Sequence, residues 1–286
     1  MTPSTNIPLL NRGVLRLDGP QRISFLEGLI TQTLHGLLPG SGVFTALLSP
    51  QGRFLYDFFV ICDQDCLYLT PEKSSIADLL TLLSRYRLRA AVDFSDESAF
   101  LRVVASFDPP SLPGLWIEDP RLAAMGWVGL LKEGSIASMA GTLVSYDQIR
   151  IPLGVPDGSR DLKVGKAIIL ENNYQDLHGI SWAKGCYIGQ ELMARTYHQG
   201  MIRKRLLPVQ LQGPLPSFGT EIFQDTQKVG TLKSTVISGE TAWGLALLQV
   251  EAIQETQEKN PLSALEGQVR VIPSIPSFLK KIFRNK

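Results

Sequence analysis

Residues 184–191 read Lys184-Gly185-Cys186-Tyr187-Ile188-Gly189-Gln190-Glu191. A single cysteine stands between a glycine and an aromatic residue, two positions after a lysine. A thiol acts chemically as thiolate, and a nearby cation lowers its pKa. Gln190, Glu191, Leu192, Met193 and Ala194 are of helix-forming type, which predicts a helix within Ile188 to Tyr197. Cys186 would then sit at or just before a helix N-terminus, whose partial positive charge also favours a thiolate. The two glycines imply a tight turn or a close backbone approach. A lone cysteine among apolar neighbours also fits a small buried hydrophobe, and exposure decides between the two.

The flanks extend the pattern. Asn172-Asn173-Tyr174 and Gly179-Ile180-Ser181-Trp182 precede it; Ala194-Arg195-Thr196 and Ile202-Arg203-Lys204-Arg205 follow. A second marked segment is Leu48-Ser49-Pro50-Gln51-Gly52-Arg53-Phe54-Leu55-Tyr56-Asp57-Phe58. From about Asn11 to about Gln249 the chain resembles the YgfZ family, relatives of the glycine-cleavage T-protein (aminomethyltransferase) that include mitochondrial iron–sulfur assembly factors. The resemblance implies an α+β fold: two α+β units and a small C-terminal β-barrel round a central folate cavity. It implies tetrahydrofolate or a one-carbon derivative as cofactor. Its implied partners are iron–sulfur assembly proteins and client iron–sulfur enzymes, including those that modify tRNA. Cys186 becomes the functional thiol, with Lys184 beside it.

The resemblance also nominates Tyr187, Gln190, Glu191, Arg195, Arg203, Arg205, Arg53 and Asp57 for folate. Arginine binds carboxylates in a bidentate fork, which suits the glutamyl end. The pterin end needs a flat apolar slot with a few fixed polar groups, for which Tyr187, Trp182 and Tyr146 are candidates. Arg53 and Asp57 are expected on one face of a strand, because side chains alternate with period two. A salt bridge orienting the hairpin is the alternative reading of that pair. One departure counts against glycine cleavage. The T-protein carries a pterin-contacting glutamate shortly after an arginine, and in Arg150-Ile151-Pro152-Leu153-Gly154-Val155-Pro156 the matching position is Pro156. Two rivals stay open: a folate-dependent aminomethyl or other one-carbon transferase, and a non-catalytic module docking protein or RNA.

Bulk properties bound the answer without choosing. The 286 residues suffice for two or three domains. Apolar residues make up 44% and charged ones 19%, with net charge +1. No global field recruits nucleic acid or a membrane, and no apolar run approaches the ~20 residues of a membrane span. Three cysteines, an odd number, argue against a disulfide framework. Cys62 and Cys66 form a Cys-x-x-x-Cys pair with no second pair, so no metal site is expected. Met1 to Leu10 lacks signal- or transit-peptide character, which predicts a cytoplasmic protein.

Periodicity divides the chain into residues 1–99, 100–201 and 202–286. In the first part, strands are predicted at Gly13–Leu17, Val43–Leu48, Arg53–Ile61 and Leu67–Thr70. Helices are predicted at Gln21–Ile30, with Ile23, Leu26 and Ile30 inward, and at Ser74–Tyr86. In the second, Leu101–Ser106, Gly126–Leu130 and Ser145–Ile151 read as strands and Asp161–Leu170 as a helix. Leu206–Leu211, Glu221–Gln224, Val229–Lys233 and Trp243–Leu248 read as barrel strands.

Overall fold

The computed structural model of the protein describes residues 6–137, 139–200, 202–255 and 261–280. Backbone contacts group the chain into two compact units. The first holds residues up to Tyr146 with Val164–Lys166 and Leu177–Met193; the second holds Asp147–Lys163, Ala167–Asp176 and the chain from Ala194 on.

The first unit has two antiparallel sheets. One takes β2 (Leu15–Asp18), β3 (Gly42–Leu48), β4 (Phe54–Cys62), β5 (Leu67–Leu69) and β6 (Asp93–Asp96), in spatial order β3-β4-β5-β2-β6. Its apolar face buries Leu15, Leu17, Leu47, Phe58, Val60 and Leu69. Against them lie Leu26 of α1 (Arg22–Glu27) and Ile76, Leu79 and Leu83 of α2 (Ile76–Arg87). Three- and four-residue spacing puts the α2 leucines on one stripe, as its sequence predicts. The other sheet runs β1-β7-β9-β8, from β1 (Asn6–Pro8), β7 (Leu101–Ser106), β8 (Leu115–Glu118) and β9 (Trp127–Lys132). Arg121 is fully buried in this unit. It pairs with Asp119 at 2.6 Å, donates to the Tyr146 hydroxyl at 2.7 Å and lies over the rings of Phe44 and Phe59.

The second unit contains a closed barrel, β10-β13-β12-β11-β14-β15. Its strands are β10 (Lys204–Gln212), β11 (Glu221–Gln224), β12 (Gln227–Ser238), β13 (Thr241–Gln249), β14 (Leu262–Ala264) and β15 (Val269–Pro273). Strand β10 pairs with both β13 and β15, which leaves no open edge. Leu207, Val209, Ile222, Leu232, Leu248 and Val271 fill its core.

Two expected elements differ. Ser145–Ile151 is not a strand but lies in helix α3 (Leu143–Leu153). Its buried positions include Asp147 and Arg150, so the apolar residues alone do not trace its buried face. Asp161–Leu170 is a run of turns rather than a helix. Gly165 there takes φ +71°, and its N–H donates to the Phe54 carbonyl. Helix α1 is also shorter than expected, and Ile23 faces outward, 37% exposed.

Candidate functional site

The cysteine loop is fastened to residues 27–32 of the first unit by a cation turned inward. The Lys184 side chain is 1% exposed. Its ammonium donates to the carbonyls of Glu27 at 2.7 Å, Ile30 at 2.8 Å and Gln32 at 2.9 Å, with the Glu27 carboxylate at 3.6 Å. These carbonyls lie at and just beyond the C-terminal end of α1, where helical carbonyls lack partners and attract cations. Burial lowers the Lys184 pKa, and Glu27 opposes that shift. Further bonds run the same way: Ser181 N–H to Thr31 O, Thr31 hydroxyl to Gly179 O, Gln32 amide to His178 O and Ile188 N–H to Gly28 O.

Lys184 therefore anchors the loop, its ammonium engaged by three carbonyls. Helix α4 runs from Gln190 to His198, so Cys186 lies four residues ahead of its first residue. Cys186 is exposed, whereas Cys62 and Cys66 are buried. Burial pushes both buried thiols up in pKa.

The glycines of the motif have a packing reason. Gly189 takes φ +84°, and a Cβ there would sit 2.6 Å from the Ser49 carbonyl oxygen. Gly52, at φ +68°, faces back: its Cβ would meet the Gly189 carbonyl at 2.9 Å. The two segments singled out in the sequence thus pack on one another through bare backbone. Tyr187 is 6% exposed, and its hydroxyl has no hydrogen-bond partner among the described residues. Burial pushes its pKa up to about 12. The Lys184 ammonium lies 5.3 Å from its ring centre.

Asp57 is buried against Arg12 at 2.9 Å, while Arg53 donates to the Lys166 carbonyl at 3.2 Å, so the expected Arg53–Asp57 pairing is not formed. Arg53 also precedes β4 rather than lying in it. In the second unit Arg205 is buried and bonded to Leu170 O at 3.1 Å and Asp176 at 3.0 Å. Asn173, at φ +63°, donates to the Leu206 carbonyl at 2.7 Å. Arg205 is thus an internal strut, not a free carboxylate receptor. Gln190 is half-buried, its side-chain oxygen accepting from the Tyr187 N–H. Glu191, Arg195 and Arg203 are exposed. Of the slot candidates, Tyr146 is a core residue held by Arg121. Of the nominated polar groups, Asp57, Arg53, Arg205 and Gln190 have protein partners, while Glu191, Arg195 and Arg203 face solvent.

Sequence reading missed Arg12 and Glu27, which support these segments. No periodicity marks them, because each acts on a neighbour distant in sequence. It also missed a buried charge cluster in the second unit. Arg150 bonds Asp147 at 2.6 Å and Asp161 at 2.7 Å, while Arg160 bonds Asp157 at 2.8 Å and also Asp147. Pro156 is buried beside it, with the Asp157 N–H donating to Asp161. Among the described residues no group of three or more His, Cys, Asp or Glu is placed to hold a metal. No described helix is long and apolar enough to cross a membrane.

Comparison with known proteins places this architecture. Residues 203–281 match the family model described as the CAF17 C-terminal beta-barrel domain. The human mitochondrial iron–sulfur cluster assembly factor IBA57 is 37% identical over 307 residues, spanning 93% of this chain and 83% of the relative. The chain belongs to the IBA57 family. The mouse IBA57 factor is 34% identical, covering 92% of this chain and 82% of its own length. The aminomethyltransferase T of the glycine cleavage system from Bartonella henselae superposes with a TM-score of 0.71 at 11% identity, over 95% of this chain and 85% of that one. The T-protein-like fold is therefore present, with a closed six-stranded barrel at its C-terminal end. The expected cytoplasmic location is overturned: these IBA57 relatives are mitochondrial proteins. A leader-based reading of ten residues was too narrow a basis for a compartment.

Proposed function

We propose that this chain supports assembly or repair of iron–sulfur clusters in client enzymes, with Cys186 as its working thiol. One observation carries the proposal. Of three cysteines, Cys186 alone is exposed, on a loop held by a buried lysine. Thiolate is the usual protein ligand of iron–sulfur clusters, which commonly take four. One exposed thiol supplies one ligand, so the others come from the delivering or receiving protein. The cluster is then cargo in transit, and the chain an intermediary rather than a scaffold. The names of the IBA57 relatives support the same reading.

The finer parts of the proposal are the YgfZ branch, clients that include tRNA-modifying enzymes, and reduced folate as ligand. Folate rests on the fold likeness. With Arg205 occupied, Arg203 and Arg195 are the nominated cations left exposed to meet glutamyl carboxylates. The one-carbon transferase alternative rests on the same likeness and lacks a carboxylate at Pro156.

Cys186→Ser removes the thiol and changes little volume at an exposed position. The variant should fold with a Tm within about 1 °C of wild type, since surface changes are nearly neutral. It should fail to restore iron–sulfur enzyme activity in cells lacking the protein. Full restoration by the serine variant would refute the thiol's role.

A further inference from the structure

Helix α2 ends in a way that folding alone does not favour. Its C-cap, Leu88, has φ 44° and ψ −105°, outside the regions an L side chain populates. The residue is 87% exposed. Glycine is the ordinary residue for such a backbone, and an apolar side chain in water gains nothing there. Arg85 and Arg89 are exposed on either side and have no ion-pair partner among the described residues. Arg87, between them, pairs with Asp93 at 3.6 Å.

The surface continues toward the thiol. A cleft of about 340 Å³ is lined by Arg87, Leu88, Arg89 and Pro20. A cavity of about 720 Å³ shares Pro20 and runs along the outward-facing Ile23 and Ser24 to Ala183, Lys184 and Gly185, directly before Cys186. Both belong to the first unit. Within them Glu27 is tied to Lys184 and Asp93 to Arg87, which leaves Arg89 as uncompensated charge in the cleft; Arg85, outside both linings, adds a second exposed cation three residues before Leu88.

We propose that Arg85, Leu88 and Arg89 form a docking surface for an acidic segment of a partner protein, whose chain follows the groove past Ile23 to Cys186. The proposal rests on the thiol function argued above. An apolar anchor between arginines is the chemistry of protein interfaces, where arginine is enriched and a few anchors dominate. Nucleic acid would need a run of cations tracking phosphates, and the chain has a net charge of +1.

The probe is a synthetic peptide of Glu-Leu repeats ending in cysteine, carried as its mixed disulfide with thionitrobenzoate, on the intact chain. The Cys186 thiolate attacks the peptide sulfur, a disulfide joins the two, and coloured thionitrobenzoate leaves with the bonding electrons. Cys62 and Cys66 are buried, so the colour reads Cys186. The acidic peptide should react about 10-fold faster than its Lys-Leu counterpart, a difference of about 1.4 kcal/mol. Salt at about 1 M should remove the advantage, and the Arg85→Glu/Arg89→Glu pair should reverse it. Leu88→Gly should reduce it several-fold while raising Tm by about 2–4 °C, because glycine relieves the strained backbone. Equal rates for the two peptides overturn the proposal. So does a Leu88→Gly chain less stable than wild type, or a short oligouridylate that competes as well as the acidic peptide. A Cys186→Ser chain that restores clusters in cells defeats the thiol function instead, while the peptide preference of the unaltered chain still decides the docking surface.

Discussion

Tyr187 stands next to the thiol, and its hydroxyl is the odd group of the loop. A buried donor without a partner costs about 1–3 kcal/mol. Tyr187→Phe should therefore leave stability unchanged or raise Tm at neutral pH. The pH dependence has a definite sign. The folded-state pKa is raised from 10 to about 12 by burial, so the native state holds the proton more tightly than the unfolded chain. The corresponding stability is complete below pH 10 and is lost as pH rises toward 12. Tyr68, also raised to about 12, titrates in the same window and remains in the variant. Thermal unfolding between pH 8 and about 12 should show a shallower alkaline decline in Tyr187→Phe than in wild type. A phenylalanine variant that melts well below wild type at pH 7 would mean that the hydroxyl is satisfied and that the loop depends on it.

Loop, turn and helix end form one support under Cys186, and each part can be removed separately. Lys184→Met leaves three carbonyls without their donor and should destabilise the chain by about 2–4 kcal/mol in urea unfolding. Alkylation of Cys186 at neutral pH should keep its wild-type rate, because the ammonium is directed at carbonyls. A rate lowered about 10-fold would restore the electrostatic role first expected of Lys184. Gly189→Ala places a methyl 2.6 Å from the Ser49 oxygen at φ +84° and should cost about 2–4 kcal/mol. A melting curve equal to wild type would show that the contact between the two segments yields easily. The glycines, the lysine and the cysteine were legible in the sequence as a group; their division of labour was not. That division depends on residues 27–32 and 49–52, which no local pattern links to 184–189. The α2 stripe and the barrel strands were legible because apolar residues mark their buried faces. Helix α3 was misread because Asp147 and Arg150 are buried too, satisfied by Asp161 and Arg160.

At the scale of the whole molecule the question is how far a shared fold carries a shared reaction. The likeness to aminomethyltransferase T spans nearly all of this chain at 11% identity, a level at which the fold persists and the site residues need not. Near the expected pterin contact, Pro156 offers no carboxylate, and Asp157 and Asp161 are paired with Arg160 and Arg150. A carboxylate tied up in a buried ion pair is a poor general acid or base, since withdrawing it leaves the arginine uncompensated at about 3–5 kcal/mol. The expectation is therefore binding without turnover. Calorimetry with tetrahydrofolate should give saturable heat, and Arg203→Ala should weaken a polyglutamylated folate more than the monoglutamate, because each added carboxylate calls on a further cation. In a reconstituted glycine-cleavage assay with a lipoyl carrier protein, the same preparation should release no aminomethyl product above background. Turnover comparable to that of a genuine T-protein would make the chain a transferase. Absence of binding to every reduced folate would leave the cluster-handling role proposed for Cys186 to stand without that ligand.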